Sequence, residues 1–152
     1  MVITPHYYSI VSGLGESGHE LVAFDQALLD AGIGDYNLVK VSSIIPPNCV
    51  FRESIDLPKG SILYVAYAKK TIKYNQLGST AVAIAFPKNA NENGVIFEAS
   101  SDEQNAKSVA IEMCREAIAN RGMEIQELRS SSTEILTTPG KYTCGLSAVV
   151  MW

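Results

Sequence analysis

Along most of this chain apolar and polar residues alternate in short period-two runs, and two stretches switch to a period between three and four. YYSIV at 7–11 reads as a strand, and the glycine-rich SGLGESG after it as a flexible loop. In ELVAFDQALLDAG (20–32), Phe24, Ala27, Leu28 and Ala31 recur at helical spacing and Gly32 supplies a stop. NLVKVSS (37–43) alternates, with Asn37, Val39, Val41 and Ser43 on one side and Leu38, Lys40 and Ser42 on the other. SILYVAYAKKTIK (61–73), STAVAIAF (79–86) and GVIFEAS (94–100) are further strands, rich in β-branched and small residues. A second helix opens at Ser101, which forms a capping-box pattern with Gln104, while Asp102 and Glu103 suit the positive end of the helix dipole. Its apolar face is Ala106, Val109, Ala110, Met113 and Ala117, and Gly122 ends it. MEIQELRS (123–130) and TCGLSAVVMW (143–152) read as closing strands.

Consecutive strands with two interposed helices predict an α+β class with a largely antiparallel sheet. The 152 residues suit a single domain, and no repeat, low-complexity segment or linker divides residues 1–152. With 47% hydrophobic and 18% charged residues the chain is globular, and a net charge of −4 argues against a nucleic-acid partner. No apolar run approaches the roughly 20 residues of a membrane span, and the start MVITPHYYSIV lacks the basic region and cleavage site of a signal peptide. The expectation is a cytoplasmic protein with no membrane contact. Cys49, Cys114 and Cys144 are scattered and two histidines accompany them, so neither a disulfide framework nor a metal site is expected.

GLGESG sets Gly13, Gly15 and Gly18 in a G-x-G-x-x-G frame between a strand and a helix. A dinucleotide site also needs an acidic residue at the end of the second strand, to hold the ribose. That strand ends in VKVSS, and Asp35 precedes it. The stretch is therefore read as a loop and not as a nucleotide site.

The join VSSIIPP carries more. Pro46 and Pro47 remove two backbone donors and push Ile45 to extended geometry, so the sheet is expected to end near Ser43 and leave the Ser42–Ser43 peptide at its margin. Serines at strand ends commonly satisfy loose backbone groups. A serine nucleophile of the hydrolase kind needs a base, but His6 and His19 stand in no recognisable frame and no G-x-S-x-G surrounds either serine. Lys40 as a pyridoxal phosphate lysine is disfavoured by the short chain and by its place on the strand face opposite Ser43.

NLVKVSSIIPP resembles the self-cleavage segment of pyruvoyl-dependent arginine decarboxylases. AFDQALLDAGIGDYNLVKVSSIIPP (23–47), AVAIAFPK (81–88), GVIFEAS (94–100) and ANRGMEIQEL (119–128) are similar to that family in the same order. The resemblance implies a four-layer αββα sandwich assembled as trimers, alone or as a dimer of trimers. It implies a proenzyme in which the Ser43 hydroxyl attacks the Ser42 carbonyl, giving a β chain of residues 1–42 and an α chain of residues 43–152. Ser43 is then the precursor of a covalent pyruvoyl group. Its ketone takes the amine of L-arginine as a Schiff base and serves as electron sink while carbon dioxide leaves and agmatine forms.

The same likeness assigns roles to side chains. Glu98 returns a proton to the α-carbon, and its apolar neighbours Ile96 and Phe97 are expected to raise its pKa. Asn37 polarises the Ser42 carbonyl during cleavage. Six strand residues span about 20 Å, so Asn37 is expected to act on the serine of a neighbouring subunit. Asp25 receives the substrate guanidinium through paired hydrogen bonds, with Leu21, Leu28, Gly34 and Tyr36 around the ligand. Two alternatives stay open: the same machinery acting on histidine or lysine, and an uncleaved, non-catalytic homologue.

Overall fold

The computed structural model describes residues 1–137 and 139–152. The first strand, β1 (Tyr7–Ser17), runs straight through the glycine-rich stretch and so corrects the loop expected there. The reason lies in the helix that follows, α1 (Glu20–Asp30). A Cβ on Gly13 would overlap the carbonyl oxygen of Ala27, and one on Gly15 that of Ala23. Alternate strand positions thus present bare backbone to a helix whose inward face is Ala23, Ala27 and Ala31. The glycines serve close strand–helix packing.

β2 (Asn37–Lys40), β3 (Ile44–Ile45) and β4 (Val50–Phe51) are short. β5 (Ile62–Lys73), β6 (Leu77–Pro87) and β7 (Gly94–Ser101) precede the second helix, α2 (Ala106–Asn120), and β8 (Ile125–Leu136) and β9 (Tyr142–Met151) follow it. They form two sheets: five strands in the order β2-β5-β9-β1-β4, and four in the order β3-β7-β6-β8. The four-stranded sheet is antiparallel throughout. The five-stranded sheet is mixed, because both edge strands, β2 on β5 and β4 on β1, run parallel to their neighbours. The class is α+β.

Three apolar clusters hold these elements. One joins α1 to β5 and β9 through Ala23, Ala27, Leu63, Val65, Leu146 and Val150. A second joins α2 to β6 and β7 through Ala83, Ala85, Val95, Ala110 and Cys114. The third lies between the sheets and includes Tyr8, Ile45, Val82, Ile84, Ile96 and Val149. Alternation along β6 explains the division, since Ala81, Ala83 and Ala85 meet the helix while Val82 and Ile84 meet the other sheet. Small residues on the helix side let α2 approach closely. A small polar cluster is buried between the sheets: Thr80 Oγ1 hydrogen-bonds Ser147 Oγ at 2.9 Å, Ser147 Oγ donates to Thr133 Oγ1 at 3.4 Å, and Thr133 Oγ1 donates to the Leu146 carbonyl at 3.2 Å.

α2 departs from expectation at its start. β7 extends through Ser101, and the helix begins at Ala106 with no side-chain cap from Asn105. Ser101 Oγ instead accepts from Glu103 N–H at 3.0 Å in a tight turn. The helix end is satisfied from across the sheet: Ser79 Oγ accepts from Ala106 N–H at 3.1 Å and donates to the Glu103 carbonyl at 2.6 Å. The buried face is Ala106, Ala110, Cys114, Ala117 and Ile118, and Val109, placed on the apolar face by periodicity, is 38% exposed. Gly122 takes a left-handed φ of 68° where the helix stops. No helix among the described residues is long and apolar enough to cross a membrane.

Candidate active site

β2 pairs with β5 only as far as Lys40 opposite Val65. One further bond, Val41 N–H to the Val65 carbonyl at 2.9 Å, holds the chain to the five-stranded sheet. After the two serines, Ile44 and Ile45 pair with Val95 and Gly94 in the four-stranded sheet. Neither ladder counts Ser42 or Ser43 as a paired position; the Ser43 carbonyl accepts the Ile96 N–H at 2.7 Å. The Ser42–Ser43 peptide is therefore where the chain crosses from one sheet to the other.

This corrects the far end of the strand expected over 37–43, whose start at Asn37 holds. The first ladder stops before the serines, and a second begins after them and ahead of the prolines. Ile45 explains the crossing: it is fully buried between the sheets, which draws the chain inward. Gly94 makes room, since a Cβ there would lie 2.7 Å from Ile45 Cγ2. Pro46 and Pro47 then end β3, and Asn48 turns the chain with a φ of 64°. Ser42 is exposed and Ser43 half-buried.

Glu98 lies two residues beyond Ile96 on β7 and shares its side of the strand. Because β2 has stopped, Tyr67, Ala68 and Lys69 of β5 form a bare sheet edge, and a cavity of about 280 Å³ opens there. Glu98, Lys40, Tyr67, Lys69 and Ser100 are among its walls. Burial pushes the Glu98 carboxyl above the ordinary carboxylate range, and the Lys40 ammonium and a backbone hydrogen bond oppose that rise. Lys40 Nζ sits 4.7 Å from the centroid of the Tyr67 ring.

The remaining residues named from the sequence lie elsewhere on the protomer. Asn37 is at the far end of β2, where its Nδ2 donates to the Gly60 carbonyl at 2.8 Å and its N–H to Ser61 at 2.9 Å. Leu21, Asp25 and Leu28 follow i, i+4, i+7 spacing along α1. Leu21 is 79% exposed, Asp25 is exposed, and Leu28 packs against the outer cluster. Gly34 leaves room for Leu29, whose Cδ2 a Cβ would meet at 2.7 Å. The Tyr36 hydroxyl donates to the Leu57 carbonyl at 3.2 Å. Within one protomer the structure thus gathers Ser42, Ser43, Glu98 and Lys40 near the sheet crossing. It puts Leu21, Asp25 and Leu28 on α1, Gly34 and Tyr36 on the connection after it and Asn37 at the start of β2, and none of these six lines the cavity beside Glu98.

Two groups near the crossing have no signal in the sequence as members of a site. The strand spacing of Lys40 says nothing of an acid on another sheet. The Ile96 amide is backbone and has no sequence signature. Among the described residues no group of three or more His, Cys, Asp and Glu is placed to hold a metal ion. Burial pushes the thiols of Cys49 and Cys114 up to about 11, far from thiolate character at neutral pH.

The sequence model of the family described as pyruvoyl-dependent arginine decarboxylase matches residues 7–152. The pyruvoyl-dependent arginine decarboxylase of Methanococcus aeolicus is 36% identical over 151 residues, covering 97% of this chain and 90% of that protein. That of Thermococcus kodakarensis is 37% identical over 155 residues, with 98% and 96% covered, and that of Methanopyrus kandleri 33% over 150 residues, with 97% of each. The Ser42–Ser43 peptide lies outside either ladder, with the Ser43 carbonyl on the Ile96 amide. Matched over nearly its whole length by the family model and by relatives more than 30% identical, the chain belongs to the pyruvoyl-dependent arginine decarboxylase family.

Proposed function

We propose that this protein is a proenzyme that cleaves itself between Ser42 and Ser43 and then decarboxylates L-arginine to agmatine and carbon dioxide. The observation that carries the reading is the position of the Ser42–Ser43 peptide between two sheets, with the Ser43 carbonyl held by Ile96 and Glu98 two residues along the same strand. A peptide outside a ladder is free to present its carbonyl to the neighbouring hydroxyl.

In processing, Ser43 Oγ attacks the Ser42 carbonyl and the amide becomes an ester. Elimination releases Ser42 as a carboxylate, and water converts the remaining dehydroalanine to a ketone with loss of ammonia. The pyruvoyl group so formed supplies a carbonyl for the substrate amine and a sink for the electrons freed as carbon dioxide departs. The Ile96 amide holds the carbonyl that began as that of Ser43. Glu98, whose hold on its proton is tightened by burial, delivers a proton to the substrate α-carbon.

Asp25 takes the guanidinium in a paired geometry that a lone amine copies poorly, and Leu21, Leu28, Gly34 and Tyr36 surround the aliphatic stem. Asn37 supplies an uncharged donor to the Ser42 carbonyl. Asn37 stands at the start of β2 with its side chain on the Gly60 carbonyl, and six extended residues span about 20 Å, so it is read as serving a neighbouring chain. The site is therefore completed by a neighbouring protomer, in keeping with a trimer of four-layer αββα sandwiches, alone or as a dimer of trimers.

Intact mass measurement tests the reading. Two fragments are expected, residues 1–42 and residues 43–152, the larger with a blocked, ketone-bearing amino end, and carbon dioxide release should be fastest with arginine. A preference for histidine or lysine overturns the substrate assignment. A protein that stays whole, resists ketone-trapping reagents and still consumes arginine overturns the reading altogether.

A further inference from the structure

We infer that Lys40 is a positioning residue for the proton-returning acid: held at the sheet edge on the Tyr67 ring, its ammonium faces the Glu98 carboxyl across one cavity and governs how readily Glu98 releases its proton. The inference rests on the reading of Glu98 as that acid.

Three features of the fold place the two groups together. Lys40 is the last paired residue of β2, so its side chain stands where the sheet edge opens. Tyr67, two residues past Lys40's partner Val65 on β5, offers the ring on which the ammonium rests, 4.7 Å from its centroid. Glu98 enters the same cavity from the other sheet. Of the charged and titratable groups there, β2 contributes Lys40, β5 contributes Tyr67 and Lys69, and β7 contributes Glu98 itself. β6 sets an apolar Val82 opposite Glu98. Lys69 Nζ lies 4.2 Å from the Phe24 centroid, on the helix side, and Lys70 is paired with Asp102 at 2.5 Å. Lys40 is accordingly the cation that acts on Glu98.

The sign follows from charge. An acid moved out of water holds its proton more tightly, and a nearby cation favours the ionised form and loosens that hold. A proton donor must give up its proton at the working pH, so an acid raised too far becomes a poor one. Lys40 offsets part of the effect of burial. An arginine at this position keeps the charge; a methionine keeps the stem and discards it.

The test reads the carboxyl directly, with no need of processed enzyme. In the full chain carrying Ser43→Ala, glutamate side-chain carboxyls labelled with carbon-13 are titrated by NMR, and Glu98→Gln in the same background identifies the resonance. The expected result is an upward shift of the Glu98 midpoint on adding Lys40→Met and no shift on adding Lys40→Arg. In processed enzyme the alkaline limb of kcat moves up for Lys40→Met and stays for Lys40→Arg. An unmoved Glu98 midpoint in Lys40→Met, with the fold intact by circular dichroism, overturns the inference. Full turnover by processed Glu98→Gln is a separate result: it removes Glu98 from the reaction and overturns Lys40's part in it, whereas the NMR midpoints report the charge coupling alone.

Discussion

The amide of Ile96 donates a 2.7 Å hydrogen bond to the carbonyl of Ser43, while two residues before Ser43 the amide of Val41 donates to Val65 on the opposite sheet. The two bonds fasten the chain on either side of the serine pair to different layers. A cut between the serines leaves the new carboxyl end on the five-stranded sheet and the new amino end on the four-stranded one.

The fragments of such a cut should stay together. Residues 1–42 include β1, which pairs with β9 from Tyr8 opposite Met151 to Ser17 opposite Tyr142 and lies inside the five-stranded sheet. They also include α1, whose buried face contacts β5 and β9 residues of the larger fragment. Size-exclusion chromatography under native conditions is expected to show one species containing both fragments, and denaturant to separate them. Ser43→Ala should run as a single chain in both. Loss of the small fragment under native conditions would count against the interior position of β1.

Glu98→Gln is expected to lower kcat by about 10²- to 10⁴-fold, the usual contribution of a positioned acid, while cleavage proceeds. The same group shapes stability. Its pKa is raised by burial in the folded chain, so the folded state retains a proton that the unfolded state has lost. Stability should therefore be full below the ordinary carboxylate range and fall as pH rises through the raised pKa. Urea midpoints across that window, in the uncleaved Ser43→Ala background, should decline less steeply once Glu98→Gln is added. An equal slope in both would show that Glu98 does not carry the linkage.

Gly13→Ala and Gly15→Ala each drive a methyl into the backbone of α1, against Ala27 and Ala23. The strand or the helix must shift to admit it, at a cost of about 1–3 kcal/mol. Gly18→Ala, where nothing lies within reach of a new Cβ, is the control and should be close to neutral. Denaturation midpoints of the three proteins decide the matter. A nucleotide loop built on these glycines would predict no such contrast.

Ser79→Ala removes the hydroxyl that accepts from Ala106 and donates to Glu103. The first turn of α2 then loses its tertiary cap, with an expected destabilisation of about 1–2 kcal/mol. Ser101→Ala, which alters only a local turn, should cost less. The reverse order, measured by chemical denaturation, would restore the capping box that the local sequence proposes.

Much of the fold is legible in the sequence. The serine pair ahead of the proline pair marked a peptide with unusual neighbours, and the long β-branched runs marked the central strands. Periodicity located both helices, and Gly32 and Gly122 stopped them, each with a left-handed φ. These features depend on residues within a few positions of one another, where covalent geometry and side-chain spacing act directly.

The main departures from the local pattern come from partners distant in the chain. The glycines of β1 looked like a loop because the helix backbone they admit is not visible in a linear pattern. Ser101 and Gln104 had the spacing of a cap, but Ser79 holds the helix end from another strand. The strand carrying the serines stops early because Ile45 gains more by burial between the sheets than its segment would by continuing along β5. The chemistry of individual residues is written locally. Which of them come together, as Lys40 and Glu98 line one cavity from two sheets, is decided by long-range burial and strand pairing, which no short window of residues contains.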